Sequence, residues 1–178
     1  MLEAYLRHTA SEFETQNADE ALTTMGERPN VILLPSLTGG LGRDEVHGFY
    51  ADYFIFGMPE DVEFVPVSRI VANDTIVEES VLRFTHTAEI SWMLPGLEPT
   101  GRRVEVGVCT VVRMQDDKVV HEHVYWDQAS VLNQLGLLDA ENLPVVGAEA
   151  ARQLLEPTGP LNQLIERARR RAAGGEGT

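Results

Sequence analysis

Residues 118–136, KVVHEHVYWDQASVLNQLG, carry a strand running into a helix, and the two faces of that strand decide how the chain is read. Side chains alternate across a strand, so one phase holds Val119, His121, His123, Tyr125 and Asp127, and the other Val120, Glu122, Val124 and Trp126. Hydrophobicity alone favours the second phase as the core. The first lines up four titratable or hydrogen-bonding groups, the pattern of a polar pocket or of a solvated sheet face. Beyond Asp127, Ser130, Val131, Leu132 and Leu135 continue as a helix, with Gly136 suited to cap it.

Upstream, a period of two begins at Asp61. Strands are expected over 62–72, 76–93 and 103–114, with turns at Asn73-Asp74, Pro95-Gly96 through Gly101, and Gln115-Asp116-Asp117. Four consecutive strands with turn residues between them predict an antiparallel meander. In the second strand, Ser80, Leu82, Phe84, His86, Ala88, Ile90 and Trp92 form the core phase, which places His86 among aromatic residues. In the third, Val104, Val106, Val108, Thr110 and Val112 face inward.

Before the strands the period is helical. Residues 2–25 read as helix with a break at 17–20, residues 31–34 as a short strand, and 38–43 as a loop. A helix over 44–54 carries Val46, Phe49, Tyr50, Tyr53 and Phe54 as one buried stripe. Helices first and strands afterwards give an α+β chain. Residues 139–178 form an extension with helices expected near 148–155 and 160–172 and a frayed end from Gly174.

The 178 residues hold 14 Lys and Arg against 28 Asp and Glu, a net charge of -14, which argues against nucleic acid and anionic lipid as partners. Arg152, Arg167, Arg169, Arg170 and Arg171 concentrate in the tail, where docking onto the acidic body of the same or a second subunit is expected. Cys109 is the one cysteine, so no internal disulfide forms. The first residues lack a signal-peptide pattern and no apolar run has the length of a membrane span, so a soluble cytoplasmic protein is expected. The glycines of 38–43 lack the Gly-Lys-Ser/Thr ending of a phosphate loop.

Three segments in order carry a resemblance: Gly42-Arg43-Asp44-Glu45-Val46 leading a helix, Pro99-Thr100-Gly101-Arg102-Arg103-Val104 opening a strand, and 118–127 followed by Val131-Leu132-Asn133-Gln134-Leu135-Gly136. Over residues 5–138 the chain resembles the nuclear transport factor 2-like superfamily, and within it the SnoaL-like polyketide cyclase group. The resemblance implies a cone: a strongly curved antiparallel sheet around helices, a pocket at the open end, and a homodimer through the outer sheet face. It makes residues 1–138 this domain and 139–178 a helical extension. It also favours the phase of His121, His123, Tyr125 and Asp127 as the pocket side. Asp127 matches the cyclases' acid/base position, and His86 falls where a pocket histidine is often found. His121 and His123 stand where Glu and Trp are frequent.

The chemistry these expectations point to is a lyase, cyclase or isomerase without a cofactor, acting on a small hydrophobic carbonyl compound. Asp127 abstracts a proton, and His86, His121 or His123 donates to the developing enolate oxygen. Tyr50, Tyr53, Phe84, Trp92 and Tyr125 are the expected substrate contacts. The Tyr/His/Asp set is similar to the scytalone dehydratase branch, which adds water elimination to the same class. The alternatives are a non-catalytic small-molecule-binding or dimerisation module, and a metal site built from His121, His123, His86 and Asp127.

Overall fold

A computed structural model describes residues 1–175. Six strands form one open, curved sheet in the order β2-β1-β6-β5-β4-β3. The meander is β3 (Glu63–Ala72), β4 (Thr75–Thr85), β5 (Arg103–Gln115) and β6 (Lys118–Trp126), antiparallel throughout. Asp116 and Asp117 both take positive φ in the β5–β6 turn, the conformation whose twist suits a two-residue hairpin.

Two strands join this meander at its β6 edge. β1 (Met25–Leu33) pairs with β6 in parallel, and β2 (Thr38–Leu41) folds back on β1. The sequence reading places only 31–34 in a strand and 38–43 in a loop. Pro29 explains the first difference: β1 passes it in an irregular step between Met25 and Asn30, where the ladder is interrupted and a missing N–H costs nothing.

The helices enter from the N-terminus. α1 (Leu2–Phe13) turns Ala4, Tyr5, His8, Ser11 and Glu12 inward at helical spacing. Asn17 caps α2 (Ala18–Thr23) by accepting from Glu20 N at 3.0 Å. α3 (Arg43–Phe49) runs into a wider π turn over Tyr50–Phe54 and a 3₁₀ turn over Ile55–Gly57. The sequence reading continues one α stripe through 54. The π turn changes the angular step, so Tyr50 is buried and Tyr53 is 53% exposed.

β4 stops at Thr85 rather than continuing to Met93. His86 still bridges to the start of β5 (His86 N to Arg102 O 2.9 Å, Gly101 N to His86 O 2.9 Å). Residues 90–94 then coil, with Met93 N and Leu94 N both donating to Ile90 O (3.0 and 2.7 Å). An extended strand sends alternate residues to opposite faces. Coiling lets the consecutive Trp92, Met93 and Leu94 all bury.

α4 (Gln128–Gln134) is closed by Gly136, at φ 69°, as its spacing predicts. α5 (Ala148–Leu155) lies against β5, where a Cβ on Gly107 would stand 2.7 Å from Leu154 Cδ1. α6 (Gln163–Gly175) begins later and ends later than its expected span, and residues 176–178 of the expected frayed end lie outside the described residues. Of the tail arginines, Arg152 reaches an acid of the body, with Nε 3.1 Å from Glu105 Oε1. Arg167 and Arg171 donate instead to the carbonyls of Leu143 and Glu141. No helix among the described residues is long and apolar enough to cross a membrane.

Candidate active site

The concave side of the sheet, α1 and the π turn enclose a cavity of about 250 Å³. β4 contributes Glu78, Ser80 and Leu82, β5 contributes Val108 and Thr110, and β6 contributes Glu122, Val124 and Trp126. The expected inward phases of β4 and β5 are therefore the observed ones. On β6 the hydrophobicity count is right for residues 120–126: Val119 is buried as the resemblance implies, but past a register shift in the β5–β6 pairing His121, His123 and Tyr125 face away.

That orientation corrects most of the expected site. His121 and His123 lie on the other face of β6, their rings stacked at 3.7 Å, with His123 Nε2 3.2 Å from Asn30 Oδ1. Tyr125 is exposed. Asp127 is the N-cap of α4, its Oδ1 accepting from Ser130 N at 3.0 Å, and it borders a groove with Cys109, Tyr125 and Leu154 rather than the cavity. An acid at a strand–helix junction is stabilised there by the helix's first N–H groups, which is reason enough for an Asp at that position.

His86 is fully buried but does not line the cavity. Thr100 N donates to its Nδ1 at 3.3 Å, and burial pushes its pKa down, so a neutral ring pins the 86–102 loop. Tyr53 points to solvent and Phe84 packs in the core. The four groups of the expected metal set are thus not brought together. Of the expected contacts, Trp92 lines the cavity and donates from Nε1 to Gly57 O at 3.3 Å, and Tyr50 stands behind its polar end.

The structure assembles a different polar centre, from α1 and β6. His8 is fully buried, and its Nδ1 lies 2.7 Å from Thr24 Oγ1. The Thr24 hydroxyl donates its own proton to Ala21 O at 2.5 Å, so it accepts from His8 and Nδ1 bears hydrogen. His8 Nε2 faces two carboxylates, Glu12 Oε1 at 3.3 Å and Glu122 Oε2 at 3.5 Å. Tyr50 donates to the same Glu122 Oε2 at 3.3 Å.

Burial disfavours the imidazolium, but the charge of Glu12, together with the charge of Glu122 and the hydrogen bond to it, outweighs that and lifts the His8 pKa to about 10. His8 is therefore a cation at neutral pH. Burial raises the Glu122 pKa, the neighbouring Glu12 charge adds to that, and His8 and Tyr50 pull the other way without cancelling it. Both bonds to Glu122 fall on Oε2, leaving Oε1 without a protein donor among the described residues. Glu12 and Glu122 both line the cavity.

A second polar group stands on the same wall. Arg69 Nε donates to Glu78 Oε2 at 2.8 Å, Tyr5 OH donates to the same oxygen at 3.1 Å, and the guanidinium lies 5.8 Å from the Tyr5 ring centre. The apolar wall is a chain of aromatic rings, Phe64 to Phe13 at 5.0 Å, Phe13 to Phe54 at 6.1 Å, Phe54 to Trp92 at 5.4 Å and Trp92 to Trp126 at 5.9 Å.

Residues 6–135 match the sequence profile of the SnoaL-like polyketide cyclase family, a span that takes in most of α1, the whole sheet and α4. The chain belongs to the SnoaL-like polyketide cyclase family. Among solved structures, this SnoaL-like chain is similar to a putative SnoaL-like polyketide cyclase from Jannaschia, at 20% identity and a TM-score of 0.61, with 77% of this chain and 92% of that one covered. It is also similar to a putative polyketide cyclase from Acidithiobacillus ferrooxidans, at 17% identity and TM-score 0.59, covering 75% and 92%. A third is a protein of ketosteroid isomerase-like fold from Catenulispora acidiphila, in complex with trimethylamine, at 19% identity and TM-score 0.56, covering 76% and 94%. These identities establish a shared fold, and no curated protein matches the sequence.

The extension beyond residue 135 lies outside the family match. What the sequence reading missed is the His8-Glu12-Glu122 centre. Its signal was present as two polar residues, four apart, on the inward stripe of the first helix, and as a Glu in the more apolar phase of β6.

Proposed function

We propose that this SnoaL-like protein is an acid–base catalyst, a cyclase, lyase or isomerase, in which Glu122 moves the proton. The observation that carries the proposal is the placement of Glu122: a largely buried carboxylate of raised pKa, held through Oε2, reaching a cavity with an aromatic wall. Raising a carboxylate pKa brings it nearer to neutral pH, where proton transfer in both directions is efficient.

The substrate is a small, largely apolar carbonyl compound. Glu122 takes the proton from the carbon beside the carbonyl, and the C–H electron pair moves into the C–C bond as the carbonyl oxygen becomes an enolate. Ser80 and Thr110 line the same cavity and supply hydroxyl donors to that oxygen. Protonated Glu122 then returns the proton at a new position, or to a leaving oxygen. His8 holds the Glu122 carboxylate in place and offsets its charge, and Tyr50 fixes the same oxygen from the π turn.

The test is deuterium exchange at the α-carbon of enolisable ketones, followed by NMR. Wild type is expected to exchange at least one class of aryl ketone, and Glu122→Gln to lose that exchange while Asp127→Asn keeps it. Equal exchange by wild type and Glu122→Gln would sink the assignment.

A further inference from the structure

The charges around the cavity do not balance, and the imbalance names a ligand chemistry. The charged side chains on the wall are Glu12, Glu78, Glu122 and Arg69. Arg69 is matched by Glu78 at 2.8 Å. This leaves two carboxylates against one cation, His8, which stands behind them.

Glu12 supplies an independent observation. Its side chain is only 3% exposed, and Oε1 has no hydrogen-bond donor among the described residues. The His8 Nε2–H is directed to Glu122, so Glu12 Oε1 lies within ion-pair range at 3.3 Å but off the line of that bond. A buried carboxylate oxygen left without a donor costs on the order of 1–3 kcal/mol, more when charged, and positive charge brought into the cavity beside that carboxylate offsets the cost. Phe13, Phe54, Trp92 and Trp126 line the same cavity, and aromatic rings of this kind attract an organic cation.

We propose that the cavity binds a protonated amine, with the ammonium held by the Glu12 and Glu122 carboxylates that line it and its apolar body on the aromatic wall. The inference rests on the reading of this cavity as the active site and sharpens it: the carbonyl substrate also bears a basic nitrogen. The pairing suits the chemistry, because an ammonium beside the carbonyl stabilises the negative charge that develops when Glu122 removes the proton. A carboxylate ligand would meet the uncompensated acid instead. A divalent metal is the other cation the trio could take, but it must displace the proton that His8 Nε2 holds between the two carboxylates.

Three probes of one shape separate these outcomes: 2-naphthylmethylamine, 2-naphthylmethanol and 2-naphthoate, titrated calorimetrically into the full chain at pH 7.5. The ammonium probe is expected to bind about tenfold more tightly than the alcohol, or better, and the naphthoate more weakly than either. Glu12→Gln should remove most of the amine preference and keep the alcohol's affinity, which shows the cavity is intact. Glu12→Asp should keep part of the preference. Equal affinity for amine and alcohol, tighter binding of naphthoate, an amine preference unchanged in Glu12→Gln, or no binding of any probe would overturn the inference. So would stoichiometric zinc binding that Glu12→Gln abolishes while the amine shows no advantage. These affinities are read without turnover. Amine selectivity with α-exchange undiminished in Glu122→Gln would leave this inference standing and remove the catalytic reading.

Discussion

His8 Nε2 and Glu122 Oε2 lie 3.5 Å apart, joining the first helix of the chain to its last strand across 114 positions. The contact ties the packing of the N-terminal helix to a carboxylate that lines the cavity, which under the proposed function makes it matter for catalysis as well. A change at either end is felt as both stability and activity.

The His8 cation links stability to pH. Its folded pKa, about 10, exceeds the ordinary value near 6.5, so its stabilising contribution is complete below about pH 6.5 and is lost as pH rises through 10. Glu122, also raised on folding, acts with the same sign, its contribution declining as pH rises through its raised pKa. Urea midpoints should therefore fall between pH 6.5 and 10. His8→Gln should flatten that slope at a lower overall stability.

Asp127 separates cap from catalyst. Asp127→Ala should cost about 1 kcal/mol through loss of the bond to Ser130 N, and Asp127→Asn much less. Neither should change ligand affinity. Denaturant unfolding beside calorimetry decides this, and a loss of binding in Asp127→Asn would return the residue to the site.

Replacing Glu122 by Gln should lower kcat by about 10²–10⁴, the usual worth of a positioned general base. Because Gln preserves shape and can still bond Tyr50, KM should change far less. The measurement is steady-state kinetics on whichever ketone first shows α-exchange.

The outer histidines give the matching control. His121→Ala and His123→Ala, separately or together, should leave affinity for 2-naphthylmethylamine within about twofold of wild type, since their face of β6 does not border the cavity. A tenfold loss would show that the convex face communicates with the cavity.

Much of the fold was legible because alternation along β4 and β5 follows burial closely: Leu82, Val106 and Val112 are all buried as their phase predicts. The order of helices and meander, and the cap at Gly136, follow from equally local rules. The site was harder. On β6 the polar phase drew attention to His121, His123 and Asp127, whereas Glu122, the acid that reaches the cavity, sits alone among Val120, Val124 and Trp126. A single charged residue in an apolar phase costs free energy to bury, so its presence there is itself the sign of function. His8 and Glu12 were hidden because Leu2, Leu6 and Phe13 suggest another inward stripe, yet each of those is more than a third exposed. The early end of β4 was illegible for a different reason: alternation continues through His86, Ala88 and Ile90, and only the tertiary need to bury three consecutive residues ends it.

The loop that follows β4 gives the molecule a division of labour. The titratable trio stands on α1 and β6 beside the π turn, while Trp92 and Met93, which shape the cavity, come from a segment fastened to the sheet at His86 and Gly101-Arg102. Between those fasteners side chains hold it instead, Ser36 and Thr38 donating to Trp92 O and Gln128 to Met93 O. The shape of the cavity and its charge are thus set by different parts of the chain, one outside the strand ladder and one largely within it.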